Sequence, residues 1–353
     1  AWNSLSTLLF TNKRMHIDRA VKLFDSLIAS IALYACELWL PYIFTNKSWD
    51  STEQLLGYWT SFKCETLNQK LGRLLLSVSK KTPRLCVIGE LGRYPLLITA
   101  MKHTLKYYWS IQSSDSESLL ADTLSEMGSF TKNGEDCWLG RVNKIQFLLS
   151  IPNLPKHYKP PFVGKLISKK VCSQFDRFYK DEINRTKPDQ FGRDRSKLRF
   201  YRTFKGSFTR EPYLDLVKNR NQRSWLSRIR VSAHHLQIEV GRWKNPPVPP
   251  SERFCRYCST ESIDTEDHFL HDCETFSIKR NCFFAMLNSV VPGFQEMSRQ
   301  HKILTIICPT NTKAAKLVNK YIDILFKARN QIDEGTPVQN IVDSFANYSN
   351  ANI

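Results

Sequence analysis

Cys255, Cys258, His268 and Cys273 stand in the spacing C-x2-C-x9-H-x4-C within RFCRYCSTESIDTEDHFLHDC. No other stretch of the chain ties residue type and spacing so closely to one chemistry. Two cysteines three positions apart fit a tight turn whose thiolates grip one ion. A histidine and a cysteine five apart, on one face of a short helix, would close the tetrahedron. The pattern predicts one structural zinc with all four positions filled by protein, which leaves no open position for a catalytic water. His271 and Cys282 are spare candidates. His271 would leave only one residue before Cys273, and Cys282 reads as a buried thiol on the following helix.

The remaining cysteines, Cys36, Cys64, Cys86, Cys137, Cys172 and Cys308, lie singly in apolar surroundings and read as reduced core residues. No signal peptide, lipidation box or run of about 20 apolar residues is visible, and the expectation is an intracellular protein of nucleus and cytoplasm with no membrane partner.

With 353 residues, 42% of them hydrophobic, the chain can bury a large core divided into two or three units. Its net charge of +18 is unevenly placed. From Lys156 to Arg230 there are 21 Lys or Arg against 7 Asp or Glu, so 21 − 7 = +14 falls within 75 residues. A polyanion, RNA or DNA, is the natural partner of such a stretch. The candidate contacts are Arg193, Arg195, Lys197, Arg199, Arg202, Lys205, Arg228, Arg230 and Arg242. Interleaved aromatics, among them Phe175, Phe191, Tyr201 and Tyr213, could stack on bases, although rings at helical spacing usually face inward.

The periodicity is helical. Ile17, Val21, Phe24, Leu27, Ile28, Ile31, Tyr34 and Leu38 fall at i, i+3, i+4 and i+7 and predict one long amphipathic helix ending before Pro41. Similar stripes cover Leu55 to Val78, Leu97 to Ile111, Ser116 to Met127, Val163 to Phe178 and Ala314 to Ala328. Nothing suggests a large sheet. Two proline-rich stretches, Ile151 to Pro161 and Asn245 to Pro250, mark joints, and the second would act as a semi-rigid spacer before the zinc motif. The expected fold is mainly α: a helical region over 1–150, a basic helical linker over 151–250, a CCHC zinc knuckle over 251–283 and a helical tail over 284–353.

VKLFDSLIASIALYACELWLPY (Val21 to Tyr42) resembles the thumb helix of reverse transcriptases from non-LTR retrotransposons, and GELGRYPL (Gly89 to Leu96) resembles the segment after that thumb. SRIRVSAHHLQIEVGRW (Ser227 to Trp243), followed by ERFCRYC and TEDHFLHDC, is similar to the C-terminal basic linker and cysteine-histidine knuckle of the same family. The resemblance implies thumb-like helices that clamp a template duplex, a linker that holds element RNA or target DNA, and a knuckle that fixes the linker's geometry. The rest of the polyprotein would then be a partner.

The departures bear on activity. The family's polymerase centre is an Asp-Asp pair in a palm upstream of the thumb, and this sequence has no adjacent Asp-Asp. Residues 281–353 show no nuclease pattern, and no Walker loop, Gly-x-Ser-x-Gly or dinucleotide fingerprint occurs. His234 and His235 are adjacent, so on a helix they point about 100° apart. Glu37, Glu90 and Glu239 read as salt-bridged residues. The expectation is a zinc-dependent, nucleic-acid-binding, non-enzymatic C-terminal portion of such a polyprotein. The alternative is a host-adopted or decayed fragment whose zinc unit serves as a protein-interaction module.

Overall fold

The structure, a computed structural model, describes residues 1–12, 15–44, 49–114, 117–152, 160–186 and 196–347. Most of the first proline-rich stretch, together with Arg193, Arg195 and Phe191, lies outside them. Among the described residues the chain is helical, and its β-structure is one antiparallel bridge between Phe254 and Ile263. No single described helix is long and apolar enough to cross a membrane.

Two compact units emerge, and they divide the chain differently from the four segments drawn on composition. The first joins Ala1–Leu5, Val21–Leu71 and Gly92–Asn184; the second joins Ser6–Ala20, Gly72–Leu91 and Arg185–Ile353. The front of the expected basic linker thus belongs to the first unit, and its rear shares the second with the knuckle and tail.

In the first unit, helix Leu96–Gln112 packs against Cys36–Trp39, Leu119–Lys132, Trp138–Leu148 and Pro160–Asn184. The backbone N–H of Leu96, one of the unpaired donors of that helix's first turn, donates to Glu65 Oε2 at 2.8 Å. Glu65 is 1% exposed, and burial pushes its carboxyl up to about 7 even though Asn68, Gln69 and the Leu96 N–H hydrogen-bond to it. The stripe expected from Val163 to Phe178 is realised in Pro160–Asn184, where Val163, Ile167, Val171, Phe175 and Tyr179 are buried at four-residue intervals.

The long helix expected over Ile17 to Leu38 is not one helix. Ile17–Phe24 runs into a π-turn at Asp25–Ala29, and the chain breaks at Ala35, which adopts φ 51°. A π-turn inserts one extra residue, so every later side chain is rotated by about 100°. Ile17, Ala20 and Phe24 are buried before it, Ile28 and Ala29 within it, and Leu33, Cys36 and Leu40 after it. The predicted stripe positions Leu27, Ile31, Tyr34 and Leu38 are 49%, 70%, 81% and 54% exposed. Pro41 sits inside a 3₁₀ turn, Leu40–Phe44. The stripe from Leu55 to Val78 is likewise broken, into Thr52–Gly57, Tyr58–Thr60 and Glu65–Leu76. Helix Leu119–Lys132 forms where the Ser116 to Met127 stripe stood, but buries none of its residues.

The spine of the second unit is helix Thr312–Asp333. Trp225 stacks on its Phe326 at 4.6 Å and donates from Nε1 to Asp323 at 2.7 Å, while Phe283 lies flat on Tyr321 at 4.0 Å. Arginine does much of the polar work here. Arg220, Arg223 and Arg228 donate to the carbonyls of Leu74, Leu75 and Ser77, where helix Glu65–Leu76 ends and its last C=O groups lack helical partners. Arg230 is fully buried; it grips both carboxylate oxygens of Glu90 at 2.9 and 3.0 Å, pairs with Glu211 and donates to the carbonyl of Ile307 at 2.6 Å.

Candidate metal centre

The knuckle begins at a pinched loop. The N–H of Cys255 donates to Ser262 O at 2.8 Å and that of Asp264 to Arg253 O at 2.9 Å, closing the chain so that Cys255 and Cys258 face the same point. His268 and Cys273 come from the next turn. On a plain α-helix residues five apart would diverge by about 140°. Residues His268–Asp272 instead form a π-turn, and the N–H of Cys273 donates to His268 O at 2.8 Å, which carries Cys273 back over His268. The expected single face exists, with a wider turn than the sequence suggests.

The four ligand atoms all lie within 4.8 Å of one another. Cys255 Sγ is 3.9 Å from Cys273 Sγ, and Cys258 Sγ is 3.5 Å from His268 Nε2. A tetrahedron with metal–sulfur arms of about 2.3 Å and a metal–nitrogen arm of about 2.0 Å has edges of about 3.8 Å and about 3.5 Å, so the cluster fits such an ion. Cys255, His268 and Cys273 are buried, and Cys258 is half-buried. The Cys255 thiol is pulled down chiefly by its hydrogen bond with Cys273, with His268 and the Arg329 guanidinium adding to the effect, and the same hydrogen bond pushes Cys273 up. A shared proton of this kind is what a bound cation would displace.

The spare candidates stand apart from the cluster. His271 turns to Asp272 Oδ1 at 3.1 Å and packs against Phe284. Cys282 does lie on the following helix, but it is half-buried rather than buried.

Around the ligands runs a layer the sequence did not reveal. Arg329, from helix Thr312–Asp333, holds both oxygens of Asp264 at 2.9 and 3.0 Å and reaches within 3.8 Å of Cys255 Sγ. The rings of Tyr257 and Phe269 flank its guanidinium at 4.5 and 4.6 Å. Asp264 also accepts from the N–H of Gln237 at 2.8 Å. Nearby Glu266 is 1% exposed; burial alone would raise its carboxyl, but Arg199 and His234 override that and hold it down at about 2. Nothing in the sequence links position 329 to position 264.

The expected nucleic-acid contacts meet varied fates. Arg230 and Lys205 are 0% and 3% exposed, Lys205 pairs with Glu211, and neither has a face to offer a phosphate. These two are core ion pairs, a correction to the reading from charge alone. Arg199 is committed to Glu266 at 2.7 Å, and Arg242 lies 3.0 Å from Glu239. Arg202 donates to Arg185 O and Ser196 Oγ. Lys197 and Arg228 line a surface cavity. The aromatics Phe175, Tyr201 and Tyr213 are buried and face the core. Glu37, Glu90 and Glu239 all have basic partners: His103 at 3.8 Å, Arg230, and the trio Lys197, Arg199 and Arg242.

A basic surface made of residues that the Lys156 to Arg230 charge count included, but that were not singled out as contacts, lies in the first unit. On helix Pro160–Asn184, the residues Lys165, Lys169, Lys170, Arg177 and Lys180 are exposed. At about 100° per residue they project within an arc of about 140°. None of the five has an acidic partner among the described residues. They fill the polar positions of the Val163 to Phe178 stripe, so the signal was its complement. Compared with known proteins, the chain matches no family model, no curated protein and no solved structure.

Proposed function

We propose that this chain is a zinc-stabilised nucleic-acid-binding protein equivalent to the C-terminal part of a non-LTR retrotransposon reverse transcriptase, without the catalytic palm. The observation that carries the binding half is the five-cation face of helix Pro160–Asn184, unpaired with acids among the described residues and about 22 Å long from Lys165 to Lys180 at 1.5 Å per residue. A row of lysines and an arginine with no acidic partner among the described residues is suited to the regular negative charge of a polynucleotide backbone, and neutralising phosphates releases counterions. The Cys3His cluster would hold one zinc ion as a structural centre, since protein fills all four positions.

Fluorescence anisotropy with labelled duplex and single-stranded probes over a salt series tests this. Replacing Lys165, Lys169, Lys170, Arg177 and Lys180 by Gln should weaken binding and flatten the salt slope by about 0.9 per lost phosphate contact on duplex. Wild-type protein that binds no nucleic acid at low salt overturns the proposal. The competing reading, a protein-interaction module, draws on the exposed Leu27, Ile31, Tyr34 and Leu38. It predicts partner binding that changes little with salt.

A further inference from the structure

A cavity of about 430 Å³ opens in the second unit beside the end of helix Glu65–Leu76. It falls in the size range of small-ligand sites, about 300–1,000 Å³. Its wall is basic. Lys81 Nζ stands 4.5 Å over the indole of Trp243, and Lys197 Nζ stands 5.5 Å from the same ring. An aromatic face orients an ammonium group without neutralising it. Arg228 is anchored through Nε to the carbonyl of Ser77 at 3.0 Å, and no described carboxylate pairs with its terminal nitrogens. Among the described residues the one acid in the lining is Glu239, which is buried and lies 3.7 Å from Lys197 and 3.0 Å from Arg242; Arg199, 3.8 Å away, is committed to Glu266, so two cations share one carboxylate.

The adjacent histidines divide their roles here. His234 is buried and bonded to Glu266 at 3.0 Å. His235 is exposed at the cavity, and burial, His234 and Arg228 push its pKa down, so it presents a neutral imidazole. Trp243 is 58% exposed and supplies an apolar wall. Fixed positive charge, an uncharged hydrogen-bonding ring and an indole wall together match the mixed chemistry of a phosphate joined to a heterocycle.

We propose that this cavity binds a nucleotide, its phosphate held by Lys81, Arg228 and Lys197 beside His235 and the remainder lying against Trp243. This deepens the nucleic-acid reading and rests on it only for the source of the nucleotide, a free molecule or a unit of a strand.

Isothermal titration of the full chain with AMP, inorganic phosphate and a short single-stranded oligonucleotide tests the proposal, with Lys81→Ala and His235→Ala as variants. Each removes an exposed side chain to which no structural role is assigned, and equal melting temperatures confirm intact folds. AMP should bind, each substitution should weaken it about tenfold, and phosphate should compete less well than AMP. Displacement of AMP by the oligonucleotide would place a strand in the cavity; oligonucleotide binding without displacement would make the site one for free nucleotide. No AMP binding, AMP affinity unchanged in both variants, or phosphate competing as well as AMP would overturn the proposal. The five-Gln variant of helix Pro160–Asn184 should keep AMP binding, so failure of the strand-binding surface and failure of the cavity are read separately.

Discussion

Arg329→Met isolates the link between the spine helix and the knuckle. Arg329 is 3% exposed and Asp264 is 0% exposed, so solvent screens neither, and the pair is bidentate. Methionine keeps most of the volume and the flanking contacts with Tyr257 and Phe269, but leaves a buried carboxylate whose remaining hydrogen bond comes from Gln237. Breaking a buried pair in this way costs about 3–5 kcal/mol. For a unit of about 200 residues, 2–4 °C per kcal/mol turns that into a fall in melting temperature of about 6–20 °C. The double variant Arg329→Met with Asp264→Asn removes the stranded charge and should recover most of the loss. Urea denaturation followed by circular dichroism reads both quantities. A competitive chelator should also report zinc binding weakened about 10–100-fold in the single variant, because Arg329 lies beside the Cys255 sulfur. A single variant within about 1 kcal/mol of wild type, or a double variant no more stable than the single, would refute the reasoning.

Metal analysis should find one zinc per chain, and Cys258→Ser should unfold residues 250–280 while leaving the first unit's melting intact; zinc-free protein of unchanged stability would sink this. Glu65 predicts a pH effect in the first unit. Its folded pKa of about 7 is raised, so its contribution is intact below the unfolded value near 4.5 and is lost as pH climbs through 7, by about 3 kcal/mol in full. Glu65→Gln should flatten that decline, and an identical slope counts against it. Gly241→Ala should destabilise the second unit by about 1–3 kcal/mol, since a Cβ there would come within 2.7 Å of Nε of Arg253, which is held by the carbonyls of Ile238 and Val248. Unaltered melting would show that Arg253 moves aside freely.

The metal ligands were legible because all four lie within 19 consecutive residues and the chemistry of thiolate and imidazole restricts their spacing. The stripe of Pro160–Asn184 was legible because an unbroken helix repeats every three to four residues. The broken helix near Ala35 was not: the left-handed residue is an alanine, without the glycine that commonly marks such a turn, and a π-turn adds a residue without altering composition. Charge misled at Arg230 for a related reason. A guanidinium in a buried pair with Glu90, 140 positions away, looks in sequence like one aimed at a phosphate. Arg329 was missed because Asp264 lies 65 positions away.

The chain passes between its two compact units near residues 5, 20, 71, 91 and 184. Modularity is therefore asymmetric. Cutting after Asn184 would deprive the first unit of no segment beyond that point, yet the released piece from Arg185 onward would lack Gly72–Leu91, and with it Glu90 and the helix end capped by Arg220, Arg223 and Arg228. Arg230 would be left with Glu211 alone as its acid. A knuckle-bearing segment moved to a new gene by recombination would keep its metal ligands and lose its core ion pair, so transfer that preserves stability has to carry Gly72–Leu91 with it.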